Sequence, residues 1–308
     1  MITKVEQILA QASQQAARPR LVLVGAENEA SLASVVAAHA KGIAEGTLVG
    51  DEAGITAAAG RLGVDVSPLE LVARPDPTEC VAAAMGLAQA GRADVIVKGQ
   101  VSTHMLLKGV LNKEYGLRTD RALSHTSVFN VPGEDRVLLI TDAGVNVQPD
   151  LQRKRDILMN AVDVAHALGI ETPKVAVMSF VEEVTDRRIS SLADAEKLVA
   201  MYRQGRITGC IVEGPHSLDT ALSVEAAAIK GVEGEVAGRA DIIVMNDIGM
   251  GNILYKALLL WVKPTIANVV LGAKVPLVVP SRADSAETKL NSIALAIMIL
   301  RHRQGLVR

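Results

Sequence analysis

The segment KGQVSTHMLLKGVL (98–111) holds residue types that an anion requires. Lys98, Ser102, Thr103 and Lys108 fall near a strand end and a helix start. The hydroxyls, a lysine and the backbone amides of the helix are groups that could bind an anion. The same residues also fit a helix cap and a solvated surface lysine, so both interpretations stay open. On the first interpretation, we predict that Ser102, Thr103 and Lys108 bind an anion.

The segment PSRADSAETKL (280–290) is a second candidate anion site. Ser281 and Asp284 match the Ser-x-x-Asp pattern that precedes a helix, which predicts a cap. Arg282 lies between them, and a permanent cation at a helix N-terminus adds to amides that already favour negative charge. A phosphate would suit this place better than a cap alone.

The segment NDIGMGNILYKAL (246–258) has the strand, glycine turn and helix order that lets a backbone approach a nucleotide phosphate. Gly249 and Gly251 give only GxG, without the third glycine of a dinucleotide fingerprint. No Asp or Glu occurs from Ile248 through Ala283, where a ribose-binding acid would be needed. Hydride transfer with a nicotinamide cofactor therefore loses its main support, whereas another adenosine-bearing ligand is still compatible.

Metal chemistry has little support in the sequence. The two cysteines cannot form a zinc site alone, and His216 has no second histidine at metal-ligand spacing. Asp142 and Asn146 follow an apolar run, but a turn explains them equally well. We therefore predict no metal site.

These segments follow short apolar runs, which alternate with stretches of helical periodicity. The alternation predicts strands at 21–24, 94–97, 136–141, 174–179, 209–213, 241–246 and 275–280, and helices at 78–91, 151–169 and 285–303. Such alternation is typical of an α/β protein with largely parallel strands. Ligands bind beyond the carboxyl ends of such strands, which is where the candidate segments lie.

Two domains are predicted, because 308 residues suffice for two packed α/β lobes. The polar stretch after Gly144 leads from a strand into a long helix and suggests a boundary. We expect a first domain of 1–143 and 275–308, and a second of 144–274.

Composition excludes several classes of partner. Aromatic residues are only 2% of the chain and the formal net charge is −2, so neither base stacking nor a global field would recruit nucleic acid or an anionic membrane. The first residues lack the apolar core of a signal peptide, and no apolar run is long enough to span a bilayer. A cytoplasmic protein is expected.

Taken together, five segments resemble the phosphate acetyl/butyryltransferase family. They are VKGQVSTHMLLKG, ITDAGVNVQPD, VEGPHSLDTAL, VAGRADIIVMNDIGMGNILYKAL and VPSRADS, in the family's order over roughly residues 90 to 300. The LLKG and SRADS segments look more like the phosphate butyryltransferase branch than the acetyl branch.

The resemblance implies a two-lobed fold of three-layer α/β domains similar to isocitrate and isopropylmalate dehydrogenases, with the active site in the interdomain cleft. It implies a homodimer or higher homo-oligomer, coenzyme A as a substrate rather than a permanently bound cofactor, and direct acyl transfer between CoA and phosphate without a metal. Ser281 and Arg282 would contact the reacting groups. The implied CoA-binding residues are Asp247, Gly251, Asn252, Tyr255 and Lys256.

Two positions depart from the acetyl branch. Lys108 stands where many of those members have an arginine, and Thr288 stands where they carry an aspartate as the proposed base. The nearest carboxylates to Thr288 are Asp284 and Glu287. We choose Asp284 as the catalytic base, since it is four residues from Thr288 and would share its helix face if the helix includes Asp284 or begins just after it.

The predicted activity is the reversible exchange of a butyryl, another short-chain acyl or an acetyl group between CoA and inorganic phosphate, all small-molecule substrates. Two alternatives are an NAD-dependent dehydrogenase of similar fold and a non-catalytic regulatory module. Retention of Ser281, Arg282 and a nearby carboxylate argues for an active enzyme.

Overall fold

The structure is a computed structural model that describes residues 1–14 and 18–306. The eleven strands in the described residues are β1 Arg20–Val24, β2 Glu45–Gly50, β3 Glu70–Ala73, β4 Val95–Lys98, β5 Ser124–Asn130, β6 Val137–Thr141, β7 Lys174–Met178, β8 Ile211–His216, β9 Ile242–Val244, β10 Ile266–Leu271 and β11 Leu277–Val278. Every predicted strand is present, and the predicted α/β class is confirmed.

The α-helices of the same residues are α1 Val5–Ala12, α2 Glu29–Ala40, α3 Glu52–Leu62, α4 Pro77–Gln89, α5 Thr103–Val110, α6 Leu151–Ala167, α7 Ser190–Arg203, α8 Leu218–Leu222, α9 Val224–Ile229, α10 Ile248–Ala257 and α11 Ala286–Arg303. A short 3-10 turn covers Lys113–Tyr115, and a π-helical segment covers Leu258–Val262. In that segment the side chain of Trp261 is 82% exposed. No helix in the described part of the chain is long and apolar enough to cross a membrane.

The chain divides into two compact units. Within the described residues, the flanking unit contains 5–120 and 266–306, and the central unit contains 1–4 and 121–265. These limits differ from the expected domains 1–143 with 275–308 and 144–274. The segment 121–143 belongs to the central unit because β5 pairs with β6 and β6 pairs with β9. Strand β10 belongs to the flanking unit, where it pairs with β11.

The flanking unit contains a sheet with strand order β3-β2-β1-β4-β11-β10. All neighbours are parallel except β10 and β11, which are antiparallel. Helix α11 packs on β10, α1 and α2, and its residues from Lys289 to Ile299 are buried. A helix that is buried on all sides forms part of a core rather than its cover.

The central unit contains a sheet with strand order β5-β6-β9-β7-β8. Its strands are parallel except for β5 beside β6. The parallel strands β6, β7 and β9 are almost wholly buried, as expected for strands covered on both faces. Each unit therefore has a mixed, mostly parallel sheet that brings strand ends together on one edge.

Candidate functional site

Two strand ends of the flanking unit meet beside Lys98. The Gly99 amide donates to the Val24 carbonyl at 2.8 Å, and the Gln100 amide donates to the Gly25 carbonyl at 2.6 Å. A Cβ on Gly99 would lie 2.0 Å from the Gly25 oxygen, so only glycine allows the two backbones to approach this closely. The contact fixes the start of the loop that leads into α5.

A cavity of about 310 Å³ opens next to this loop. Lys98, Ser102 and Arg282 line it, together with Asn28 and the backbone of 99–101. The structure therefore brings two predicted site residues, Ser102 and Arg282, to one place from segments that are far apart in the sequence. It adds Lys98, which the sequence placed near a strand end but did not select as a ligand.

Ser102 is the N-cap of α5. Its hydroxyl accepts a hydrogen bond from the Met105 amide at 3.1 Å, so the capping interpretation is correct for this residue. Ser102 is also exposed and lines the cavity, so capping and cavity lining coexist. Thr103 is half-buried as the first residue of α5.

Lys108 lies in a different place. It is exposed in the last turn of α5, where a cation interacts favourably with the helix dipole. It lines a second cavity, of about 820 Å³, together with apolar side chains such as Val81 and Leu107. The structure therefore does not bring Lys108 into the cavity of Ser102 and Arg282.

The expected cap at Ser281 is wrong, because α11 begins later. Ser285 is its N-cap and accepts a hydrogen bond from the Thr288 amide at 3.1 Å. The Ser281 amide donates to Asp284 Oδ2 at 2.8 Å, and the Asp284 amide donates back to the Ser281 carbonyl at 3.2 Å. Arg282 consequently lies exposed in a turn that precedes the helix, not at its N-terminus.

The two candidate bases differ in environment. Asp284 is half-buried and belongs to this turn, directly before Ser285, the N-cap of α11. Glu287 is exposed in the first turn of α11. Thr288 acts within that turn, where its hydroxyl accepts from Ser285 Oγ at 3.2 Å.

Two buried lysines add positive charge near the cavity. Lys98 is 7% exposed and Lys289 is 1% exposed. Burial, assisted by the charges of Arg282 and Lys289, lowers the pKa of Lys98, and Asp284 opposes this shift. Burial also lowers the pKa of Lys289, again opposed by Asp284. The charge of Asp284 thus acts on both buried lysines.

The other predicted residues lie in the central unit, on α10. Asp247 is the N-cap of this helix, and its Oδ1 accepts from the Met250 amide at 3.0 Å. A Cβ on Gly251 would lie 2.2 Å from the Asp142 carbonyl oxygen, and Asn252 Nδ2 donates to the Ala143 carbonyl at 3.2 Å. The start of α10 is therefore packed closely against the segment that follows β6.

Tyr255 and Lys256 lie near the end of α10. Tyr255 is 6% exposed and makes edge-on contacts with the rings of His125 and Phe129, at centroid distances of 6.0 and 5.8 Å. Lys256 is exposed, with its Nζ 6.0 Å from the Tyr255 ring centroid. Of these two residues, Lys256 is the more accessible to a ligand.

The segment after β6 is ordered by Asp142. Its buried carboxylate accepts from the amides of Gly144, Val145 and Asn146 and from Asn146 Nδ2, at 2.6 to 3.1 Å. The turn expected at Asp142 and Asn146 is confirmed. This turn supplies the backbone against which Gly251 packs.

A buried pair missed by the sequence analysis supports the same region. Lys154 on α6 is 4% exposed and donates to Asp194 Oδ2 at 2.7 Å and to Asn246 Oδ1 at 2.6 Å. Asn246 Nδ2 in turn donates to Asp247 Oδ2 at 3.2 Å. The periodicity of α6 gave no signal for this, because a lysine is normally expected on the solvent face of a helix.

The structure shows no cluster of metal ligands among the residues that it describes. Within residues 1–14 and 18–306, no group of three or more His, Cys, Asp or Glu side chains is arranged to hold a metal ion. Cys80 and Cys210 are both buried, and burial raises the pKa of each thiol to about 11. Neither cysteine has the low pKa of a nucleophilic thiol.

Comparison with known proteins identifies the family. The model of the family described as Phosphate acetyl/butaryl transferase matches residues 70–297, which is more than half of the chain. The chain belongs to this family. The predicted resemblance is therefore confirmed, and the matched range contains both the 98–111 segment and the Ser281–Asp284 turn.

Phosphate butyryltransferases and phosphate acetyltransferases are both similar to this chain. A phosphate butyryltransferase from Clostridium acetobutylicum is 45% identical over 280 residues, 91% of this chain and 93% of that protein. A phosphate acetyltransferase from Rhizobium meliloti is 39% identical over 304 residues, 98% of this chain and 95% of that protein.

A solved structure of a phosphotransacylase has a fold similar to that of this chain. The crystal structure of a branched-chain phosphotransacylase from Enterococcus faecalis V583 has a TM-score of 0.79 and 30% identity, covering 92% of this chain and 99% of its own. The likeness thus covers nearly the whole of both chains.

Proposed function

We propose that this protein catalyses the reversible transfer of a short-chain acyl group between coenzyme A and inorganic phosphate. The observation that carries the proposal is the 45% identity to a phosphate butyryltransferase over 91% of the chain. The cavity lined by Lys98, Ser102 and Arg282 supports it, because cations and a hydroxyl favour an anionic substrate.

In the direction of acyl-CoA synthesis, the CoA thiol gives its proton to a base and the thiolate attacks the carbonyl carbon of the acyl phosphate. The bond between the carbonyl carbon and the bridging oxygen then breaks, and phosphate leaves with the bonding electrons. A thiol has a pKa of about 8.5, so a positioned base raises the thiolate fraction at neutral pH. The reverse reaction returns the proton to the departing sulfur.

We assign the catalytic roles as follows. Ser281 and Arg282 contact the reacting groups, and Arg282 stabilises the negative charge that develops on the phosphate and the carbonyl oxygen. Asp284 is the base we favour over Glu287, since it lies in the same turn as Arg282 and is half-buried. A carboxylate in this turn also interacts with the charge of Lys98.

The substrate-binding roles are proposals of the same kind. Ser102 and Thr103 are proposed to bind phosphate, whereas Lys108, the lysine suggested by the sequence for this role, lines the separate 820 Å³ cavity and receives less support. The CoA nucleotide is proposed to bind along α10, where the residues are Asp247, Gly251, Asn252, Tyr255 and Lys256. The exposed Lys256 offers a charge for a CoA phosphate, whereas Gly251 and Asn252 shape the backbone.

Finer features of the family are also proposed. These are the likeness of the fold to isocitrate and isopropylmalate dehydrogenases, an active site in the interdomain cleft, the homodimer and the cytoplasmic location. The relatives described above support neither the dehydrogenase nor the regulatory alternative, since each carries the name of an acyltransferase.

The acyl group is proposed to be longer than acetyl, as the LLKG and SRADS segments suggest. The test follows thiol release from acetyl-, propionyl-, butyryl- and isobutyryl-CoA with phosphate, and thiol consumption in reverse. We expect butyryl-CoA or a branched homologue to give the highest kcat/KM. A tenfold preference for acetyl-CoA would refute the chain-length assignment, and absence of phosphate-dependent thiol release from all four would refute the function.

A further inference from the structure

Among the lysines of the 98–111 segment, only Lys98 lines the cavity that contains Arg282 and Ser102. Lys98 is the last residue of β4, whereas Lys108 lies in the last turn of α5. Lys108 lies six positions after the N-cap Ser102, which at about 1.5 Å per residue is roughly 9 Å along the helix axis. The two lysines therefore belong to different surroundings.

The Lys98 ammonium is held at the cavity by the loop itself. Its Nζ donates to the carbonyls of Gly99 and Val101, each at 3.3 Å. These bonds are long and involve neutral acceptors, so they compensate a buried positive charge only in part. The ion pairs of the described residues include neither Lys98 nor Lys289.

The charge balance around Lys98 is positive. Within the part of the chain that the structure describes, two cations, Arg282 and Lys289, and one carboxylate, Asp284, act on Lys98. That carboxylate already accepts the Ser281 amide at 2.8 Å. Buried charges in proteins are normally paired, and an arrangement with an excess of positive charge is completed by an anion.

From this geometry we infer that Lys98 is the phosphate-binding lysine of the acyl-transfer site, in the role that the sequence suggested for Lys108. This inference rests on the proposed function. Lys98 and Arg282 hold the phosphate oxygens in the 310 Å³ cavity from two sides. Lys289, behind them in α11, adds to the positive potential as a positioning residue without contacting the substrate.

Matched variants of the two lysines test the inference. Lys98→Gln keeps a donor for the loop carbonyls but removes the charge, Lys98→Arg keeps the charge, and Lys108→Gln is the corresponding change at the other lysine. Lys41→Gln, an exposed lysine at the end of α2, serves as the surface control. Circular dichroism establishes that each variant is folded.

The kinetic measurement is the KM for phosphate with saturating butyryl-CoA. Loss of one charge-assisted contact predicts an increase of about 10- to 100-fold for Lys98→Gln. The KM for butyryl-CoA should change less than threefold, and Lys98→Arg should recover part of the loss. The fold increase in the KM for phosphate should be at least ten times smaller for Lys108→Gln than for Lys98→Gln. A purely structural Lys98 would instead lower thermal stability without a selective effect on phosphate.

A binding measurement separates this inference from the proposed function. The probe is sulfate, an anion of similar shape to phosphate that does not titrate near neutral pH. Sulfate should raise the melting temperature of the wild type and of Lys108→Gln but not of Lys98→Gln. If the wild type shows no turnover but this pattern holds, the function fails and the anion site stands. If turnover occurs and Lys98→Gln keeps a phosphate KM within twofold of wild type, or Lys108→Gln has the larger effect, the inference is overturned.

Discussion

Asp284→Asn is the substitution that examines the proposed proton transfer most directly. The new amide oxygen can still accept the Ser281 amide, which Asp284 Oδ2 accepts at 2.8 Å, so the turn before α11 should survive. What disappears is the negative charge and the ability to take a proton. Removing a general base lowers kcat by about 10²- to 10⁴-fold, which corresponds to about 3 to 5 kcal/mol in the barrier.

The structure adds a second, opposite expectation for the same variant. Asp284 is the carboxylate that opposes the lowered pKa of both Lys98 and Lys289, so its loss removes the negative charge that acts on these two lysines. Phosphate should then bind more tightly. For a partly exposed charge worth about 0.5 to 1 kcal/mol, the dissociation constant should fall by about two- to fivefold.

The assay combines steady-state kinetics from pH 6 to 9 with phosphate binding by calorimetry. Glu287→Gln is the matched control, because this exposed residue also lies near Thr288 but makes no contact with the Ser281 turn in the hydrogen bonds described here. A low kcat with tighter phosphate binding in Asp284→Asn alone supports the proposed base. If Glu287→Gln abolishes turnover while Asp284→Asn keeps kcat within threefold, the assignment is refuted.

Three further outcomes are expected. Arg282→Ala should lower kcat by about 10²- to 10³-fold, the effect of removing one preorganised stabiliser of developing charge, and a folded variant with normal kcat would show that Arg282 is only a surface residue. Ser285→Ala should reduce the free energy of unfolding by about 1 kcal/mol in urea titrations, because it removes the N-cap of α11. Ser281→Ala should reduce the free energy of unfolding by less than half as much. Equal reductions would contradict the position of the helix cap. Without phosphate, the free energy of unfolding should rise as the pH increases towards 10.5. Burial lowers the pKa of Lys98 and Lys289, so in this pH range the unfolded chain binds more protons than the folded chain. Lys98→Gln should reduce the rise, and a flat profile in the wild type would contradict the burial of both charges.

The strands that the sequence predicted are those with continuous apolar runs. Strands β2, β3, β5 and β10 were not among them, and β5 shows why, since SHTSVFN contains polar residues at positions that the fold nevertheless buries. Ser124, Thr126 and Ser127 are all fully buried there. Burial of such residues depends on partners from distant segments, which local patterns do not report.

In the candidate site, too, local sequence patterns did not report two features of the structure. The sequence analysis considered a helix cap only at Ser281, whereas the N-cap of α11 is Ser285. Lys98 and Lys108 lie ten residues apart in one segment, and the sequence analysis assigned phosphate binding to Lys108, which stands where many acetyl-branch members of the family have an arginine. Only the loop bend after β4 shows which lysine lines the cavity with Arg282.

The exposed side chain in the π-helical segment has a practical consequence for spectroscopy. Trp261 is the only tryptophan of the chain, and it is 82% exposed in the folded protein. Its emission should already be that of an indole in water, so unfolding should change the fluorescence maximum very little. Urea titrations therefore need far-ultraviolet circular dichroism as their signal, while any shift of the emission when CoA is added would indicate a change around 258–262 rather than in the core.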